Sequence, residues 1–228
     1  MSNAEEKPII YDITPFTHLD YPGKLAAIAW FAGCNMRCMY CYNSDIVFAK
    51  EGRYTPGDLL DFLQKRRGLL DGVVLSGGEP TLHDLASLCR KIKAMGFSVK
   101  LDTNGLNPEK IRSLIEADLL DFIALDFKAE SSKFGYITGS SRYLRFLETL
   151  ESLIDSGVAF EVRTTVHADL LTPDDINTML KELKRRGYKG TYYLQRFVET
   201  PDNIAHLKAP DTPFDETKIE AILPVSWR

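Results

Sequence analysis

Three cysteines fall within eight residues, Cys34, Cys38 and Cys41, spaced C-x3-C-x2-C. Three thiolates in one short loop can wrap a metal centre. Structural zinc sites want four ligands, usually as two separated pairs, and no fourth cysteine or histidine stands at such a spacing. Iron–sulfur clusters also take thiolates, usually four. With three protein thiolates, a four-iron cluster keeps one iron open, and an open position separates a catalytic metal from a structural one. A zinc knot or plain thiols are the alternatives. Downstream, Ser76-Gly77-Gly78-Glu79-Pro80 follows an apolar run. Two glycines let a ligand approach the backbone, and exposed N–H groups beside one carboxylate suit a zwitterionic amino acid. A tight strand-to-helix turn is the other reading. Asp102-Thr103-Asn104-Gly105 sets three polar side chains before a permissive glycine. Such a turn can hydrogen-bond a ribose or a carboxylate, or can be a plain Asx turn. Asp126 and Lys128 place opposite charges together, as a site or as an ion pair.

Each of these groups follows an element that must position it. Apolar or β-branched runs predict strands over 25–33, 71–76, 97–102, 121–127, 158–167 and 191–198. Helical periodicity predicts helices over 56–67, 84–95, 108–117, 142–156 and 173–186. The segment 131–141 reads as a polar loop, and the tail after residue 199, with four of the eleven prolines, as irregular. Strands alternating with helices imply a parallel sheet with right-handed crossovers. Eight strand–helix pairs would need about 250 residues. Six strands in 228 residues fit an incomplete (β/α)6 barrel or an open doubly wound sheet, in one domain spanning 1–228. In both architectures chemistry sits at the C-terminal strand ends, where Cys34, Glu79, Asp102, Asp126, Arg163, His167 and Gln195 fall.

Composition narrows the function classes. Hydrophobic residues make up 44% and charged residues 26%, so a disordered chain is excluded. The balance of 28 Lys+Arg against 32 Asp+Glu argues against nucleic acid as the main partner, which needs a basic face. No apolar run approaches the roughly 20 residues that span a bilayer. The N-terminus lacks the basic and apolar regions of a signal peptide, and Ser2-Asn3-Ala4 reads as an expression scar. Clustered cysteines make a poor disulfide framework, so a reducing, cytoplasmic compartment is expected. Cys89, on the apolar face of its helix, reads as a core thiol.

The loop Gly33-Cys34-Asn35-Met36-Arg37-Cys38-Met39-Tyr40-Cys41 resembles the CxxxCxxC loop of the radical S-adenosylmethionine (radical SAM) superfamily. The resemblance implies a [4Fe-4S] cluster on Cys34, Cys38 and Cys41, with SAM on the open iron and Tyr40 beside it. It implies that Gly77, Gly78 and Glu79 receive the methionine amino group, and that Asp102, Thr103 and Asn104 lie around the ribose and methionine. Asp126 and Lys128 would lie beside SAM, Arg163 would face its carboxylate or the incoming substrate, and Val166 would pack on adenine. Gln195 would border adenine or the substrate opening. Arg163 in an interior salt bridge, to a residue such as Glu161, and His167 as a plain strand-end histidine are the bland alternatives. A monovalent cation at Asp102, Thr103 and Asp126 is also implied.

Within the superfamily, Asp20-Tyr21-Pro22-Gly23-Lys24-Leu25-Ala26, Leu101-Asp102-Thr103-Asn104-Gly105, Arg163-Thr164-Thr165-Val166 and Leu194-Gln195 resemble the anaerobic ribonucleoside-triphosphate reductase activating protein family, over about residues 13–197. Tyr42 stands where many relatives carry histidine. The resemblance implies an anaerobic oxidoreductase that removes a hydrogen from a glycine of a partner glycyl-radical enzyme. A one-electron donor such as flavodoxin or ferredoxin would supply it. Two other readings are an enzyme with a small-molecule substrate, like 7-carboxy-7-deazaguanine synthase, and a non-catalytic iron–sulfur or zinc protein. A small-molecule enzyme needs a lid against water, and the tail 200–228 is the candidate.

Overall fold

The computed structural model describes residues 6–228; the Ser2-Asn3-Ala4 reading lies outside them. The chain falls into two compact units. The first holds the described residues up to Asn35 together with Asp45–Thr103 and Glu109–Ile123; the second holds Met36–Ser44, Asn104–Pro108 and Ala124–Arg228.

In the first unit, β1 (Ile10–Thr17) runs antiparallel to β2 (Ala26–Phe31) with two register shifts. After α1 (Ser44–Phe48) and α2 (Pro56–Gln64), β3 (Gly72–Gly77) pairs parallel with β2, from Ala26 opposite Gly72 to Phe31 opposite Gly77. A 3-10 turn, Pro80–Leu82, and α3 (Ala86–Ala94) lead to β4 (Ser98–Thr103), again parallel to β3. Residues Ala27, Ala29, Val73, Val74, Leu75, Val99 and Leu101 are all fully buried. Strands covered on both faces read as continuous apolar runs rather than as alternation, which is why these three are legible. The start of α2 follows from Thr55, whose hydroxyl accepts from the Asp58 N–H while the Asp58 carboxylate accepts from the Thr55 N–H. Cys89 faces inward from α3 between Leu88 and Ile92, and burial pushes its thiol up to about 12.

Next come α4 (Pro108–Glu116) and β5 (Phe122–Asp126), and then α5 (Ser131–Thr138) and α6 (Tyr143–Ser156) in the second unit. There β6 (Phe160–Val166), α7 (Pro173–Arg186), β7 (Tyr192–Arg196) and β8 (Val225–Trp227) complete the chain. β6, β7 and β8 are parallel neighbours in that order. Phe127 stacks on Phe146 with ring centroids 4.6 Å apart, and Tyr143 sits edge-on to Phe134.

The six expected strands are β2 to β7, joined through helices, and the fold is parallel α/β. Three expectations are corrected. Segment 131–141 is not a loop: Glu130 caps α5 by accepting from the Ser132 and Lys133 N–H groups, and Gly139 ends it at φ 66°. Pro15, at a position normally barred from central strands, hid β1. The tail is not irregular throughout, since β8 pairs with β7 and Arg228 forks onto the buried Glu161 at 3.0 Å through both nitrogens. Among the described residues no helix is long and apolar enough to cross a membrane.

Candidate functional site

The first unit holds the Ser-Gly-Gly-Glu turn at the end of β3. The Gly78 N–H donates to the Phe31 carbonyl and the Glu79 N–H to the Gly33 carbonyl, both at 2.9 Å. A Cβ on Gly77, at φ 116°, would lie 2.3 Å from the Phe31 nitrogen, and one on Gly78 would lie 2.0 Å from the Gly33 oxygen. The expectation of exposed N–H groups is therefore corrected. These glycines admit the neighbouring backbone, and their turn is locked to the residues just before Cys34.

Glu79 is fully buried. Its Oε1 accepts from the Thr81 hydroxyl at 2.6 Å, the Thr81 N–H at 3.1 Å and the Thr103 hydroxyl at 2.8 Å. Thr103 and Glu79 are thus brought together, and Thr81, which the sequence reading passed over, fixes them. Asp102 turns to the other face of β4. Its Oδ1 lies 2.7 Å from Lys100 Nζ and its Oδ2 accepts from Ser76 Oγ at 3.2 Å. Lys100 is 1% exposed. Its signal in the sequence was a lysine inside an apolar strand, two residues before an aspartate. Lys110 binds the carbonyls of Thr81 and Leu82 at 2.8 and 3.1 Å, closing the 3-10 turn. His83 donates its Nε2 hydrogen to the Ala32 carbonyl at 2.9 Å, and burial lowers its pKa.

The second unit gathers Cys38, Tyr40, Cys41, Asp126, Lys128 and Arg163. The Cys41 N–H donates to the Cys38 carbonyl at 2.9 Å, making a tight turn. Tyr40 is buried between the two cysteines, with Lys128 Nζ 5.9 Å from its ring centre. Asp126 is held by Lys128 at 3.0 Å and by Arg163 Nε at 2.5 Å. Burial alone would lift the Asp126 carboxyl, but the two cations beside it bring it down to about 2. Burial opposes the Lys128 charge, and Asp126 outweighs it, holding the ammonium well above its usual range. Burial pushes the Tyr40 phenol well above its usual range. Arg163 does form the interior salt bridge, but with Asp126, because Glu161 is taken by Arg228.

Asn104 is buried and its Oδ1 accepts from the Leu106 N–H at 3.1 Å, an Asx turn. Val166 is buried, its carbonyl accepting from the Phe197 N–H at 3.1 Å. Gln195 is half-buried on β7. His167 donates its Nε2 hydrogen to the Lys208 carbonyl at 2.8 Å and stacks edge-on to Phe197, so it serves the strand end. Asp102 and Asp126 each carry a protein counter-cation, Lys100 for the first, Lys128 and Arg163 for the second.

The donor set suits an iron–sulfur cluster. Three thiols share one loop, Cys34 and Cys41 half-buried and Cys38 buried, and the fourth cysteine is inert inside α3. Among the described residues no three His, Cys, Asp or Glu side chains converge as a metal group, so donor type and spacing carry the assignment. The Tyr40 hydroxyl adds a second observation. It is buried beside the cysteine turn without a hydrogen-bond partner, a state that a polar group bound there would relieve.

The chain matches the radical SAM superfamily model over residues 28–183. It is 32% identical over 188 residues, 78% of this chain and 76% of the relative, to a protein of Methanocaldococcus jannaschii named for glycyl-radical enzyme activation. It is 27% identical over 169 residues, 64% of this chain and 66% of the relative, to 7-carboxy-7-deazaguanine synthase of Thermococcus kodakarensis. The solved structure of Streptococcus suis SuiB bound to precursor peptide SuiA superposes with a TM-score of 0.64 at 15% identity, covering 79% of this chain. This chain spans only 41% of SuiB, and that likeness shows the fold. With well over half of its length matched, the chain belongs to the radical SAM superfamily, enzymes that use a [4Fe-4S] cluster and SAM.

Proposed function

We propose that the chain is a glycyl-radical activase, acting on a partner of the anaerobic ribonucleoside-triphosphate reductase class. The observation that carries this reading is the likeness to the Methanocaldococcus jannaschii relative, which extends over most of both chains. Cys34, Cys38 and Cys41 hold the cluster. Gly77 and Gly78 lock the turn that presents Glu79 to the methionine amino group. Thr103 and Asn104 line the ribose and methionine side, with Asp102 held by Lys100 on the other face of the same strand end. Asp126, Lys128 and Arg163 form a fixed charge triad for the SAM carboxylate, with the Tyr40 hydroxyl toward a polar group of the bound pair and Val166 against adenine. With cluster and SAM bound and one electron given by a flavodoxin- or ferredoxin-like donor, the pair would supply the radical chemistry that removes a hydrogen atom from the partner's glycine. No general base is needed, since that hydrogen leaves with its electron.

The test is anaerobic cluster reconstitution, dithionite reduction with SAM, and chromatography of 5′-deoxyadenosine, followed by the same mixture with a reductase glycine-loop peptide and detection of a glycyl radical by electron paramagnetic resonance. Cys38→Ala should lose both the brown chromophore and 5′-deoxyadenosine formation; full retention would remove the cluster assignment. The Thermococcus kodakarensis relative supports a second reading, a small-molecule radical SAM enzyme. Turnover of a pterin substrate without any protein partner would favour it and sink the activase.

A further inference from the structure

The geometry points to a clamp on the cysteine loop formed by residues 199–211, with Asn203 as its positioning residue. This rests on Cys34, Cys38 and Cys41 being the cluster ligands. The Ile204 N–H donates to the Cys41 carbonyl and the Ala205 N–H to the Met39 carbonyl, both at 3.0 Å. From the other side, Arg37 and Met39 donate their N–H groups to the Thr138 and Ile137 carbonyls of α5, at 2.8 and 2.9 Å. The backbone that carries Cys38 and Cys41 is therefore tied on both flanks, and the tail supplies one of them.

Asn203 builds that flank. It is 1% exposed. Its Nδ2 donates to the carbonyls of Thr200 at 2.7 Å and Leu207 at 2.9 Å, and its Oδ1 accepts from the Leu207 N–H at 2.6 Å. One side chain thus closes the turn that aims the Ile204 and Ala205 amides. The outer end is moored by His167 to the Lys208 carbonyl and by the Ala209 N–H to Glu199 at 2.8 Å. The tail residues of the clamp lie outside the stretch that the superfamily model matches, residues 28–183. Outer-shell bonds of this kind fix ligand orientation rather than ligand identity. Loosening the clamp should therefore speed cluster loss while leaving the thiolates able to take a cluster up.

The experiment compares the reconstituted full chain with Asn203→Ala and Asn203→Asp. Cluster loss to an iron chelator is followed by absorbance, with hydrogen exchange over 36–43 in the cluster-free protein. Thr172→Ala, which removes the cap of α7 far along the chain from the loop, controls for general destabilisation. The expected result is cluster loss about tenfold faster in both Asn203 variants, faster exchange over 36–43, and a Thr172→Ala rate equal to the parent. Equal acceleration by Thr172→Ala, or an unchanged rate in the Asn203 variants, would overturn the clamp. If those variants fail to fold, exchange in the parent decides. Slow exchange of the Ile204 and Ala205 amides supports the clamp, and exchange at unprotected rates removes it. A parent that takes up no more iron than Cys38→Ala would instead overturn the ligand reading, and the clamp with it.

Discussion

Lys100 and Asp102 stand two residues apart on one face of β4, and the lysine is almost wholly out of water. Burying an ammonium is tolerable only while its partner stays charged and close. Lys100→Met should cost about 3 kcal/mol in chemical denaturation, because it strands a buried carboxylate. The double variant with Asp102→Asn should recover most of that loss, an outcome that a simple packing defect would not give. Asp126 makes a matching prediction about pH. Its carboxyl lies at about 2 when folded, below its unfolded value of about 3.9. Its contribution is thus complete above the unfolded value and is lost as pH falls through the folded one. The parent should exceed Arg163→Met in stability by about 2 kcal/mol at pH 6. That margin should shrink between about pH 4 and 2, and a margin constant down to pH 2 would show that Arg163 acts only through packing.

At the scale of elements, the turn after β3 couples two segments far apart in the sequence. A methyl on Gly78 would meet the Gly33 carbonyl, which is backbone and cannot swing aside. Gly78→Ala should therefore displace the approach to Cys34 and lower the iron content of reconstituted protein, whereas Gly96→Ala, whose Cβ would meet nothing but whose φ of 93° strains any L side chain, should lower stability and leave iron content per folded molecule unchanged. The sequence already pointed to this turn, but for another reason. Paired glycines signal a close approach without saying what approaches, and here it is the chain itself. The strand ends were legible because buried parallel strands are runs of apolar residues. α5 was not, because Gly135 and a polar composition weaken its local signal and its stability comes from Glu130, Gly139 and the packing of Phe134. Lys100 did carry a signal, a lysine inside an apolar strand two residues before Asp102, whereas Thr81 was missed because a partner across the turn leaves no mark at its own position. The ordered segment 199–211 escaped for the same reason, since its bonds reach Met39 and Cys41, more than 150 residues back.

For the molecule as a whole, the four cysteines divide into two populations. Cys34, Cys38 and Cys41 lie in a loop, while Cys89 sits fully buried on the inner face of α3. Alkylation proceeds through the thiolate, and with its thiol pushed up to about 12, Cys89 is ionised in only about one molecule in ten thousand at pH 8. In cluster-free protein, brief exposure to iodoacetamide should therefore label up to three thiols by mass spectrometry and spare Cys89. Rapid labelling of Cys89 under native conditions would contradict the packing of α3. The consequence is a chemical clock that needs no engineering. The rate at which Cys89 acquires label reports how often this unit of the protein opens as a whole. It can be read in crude mixtures, without spectroscopy, and compared directly between cluster-loaded and cluster-free samples.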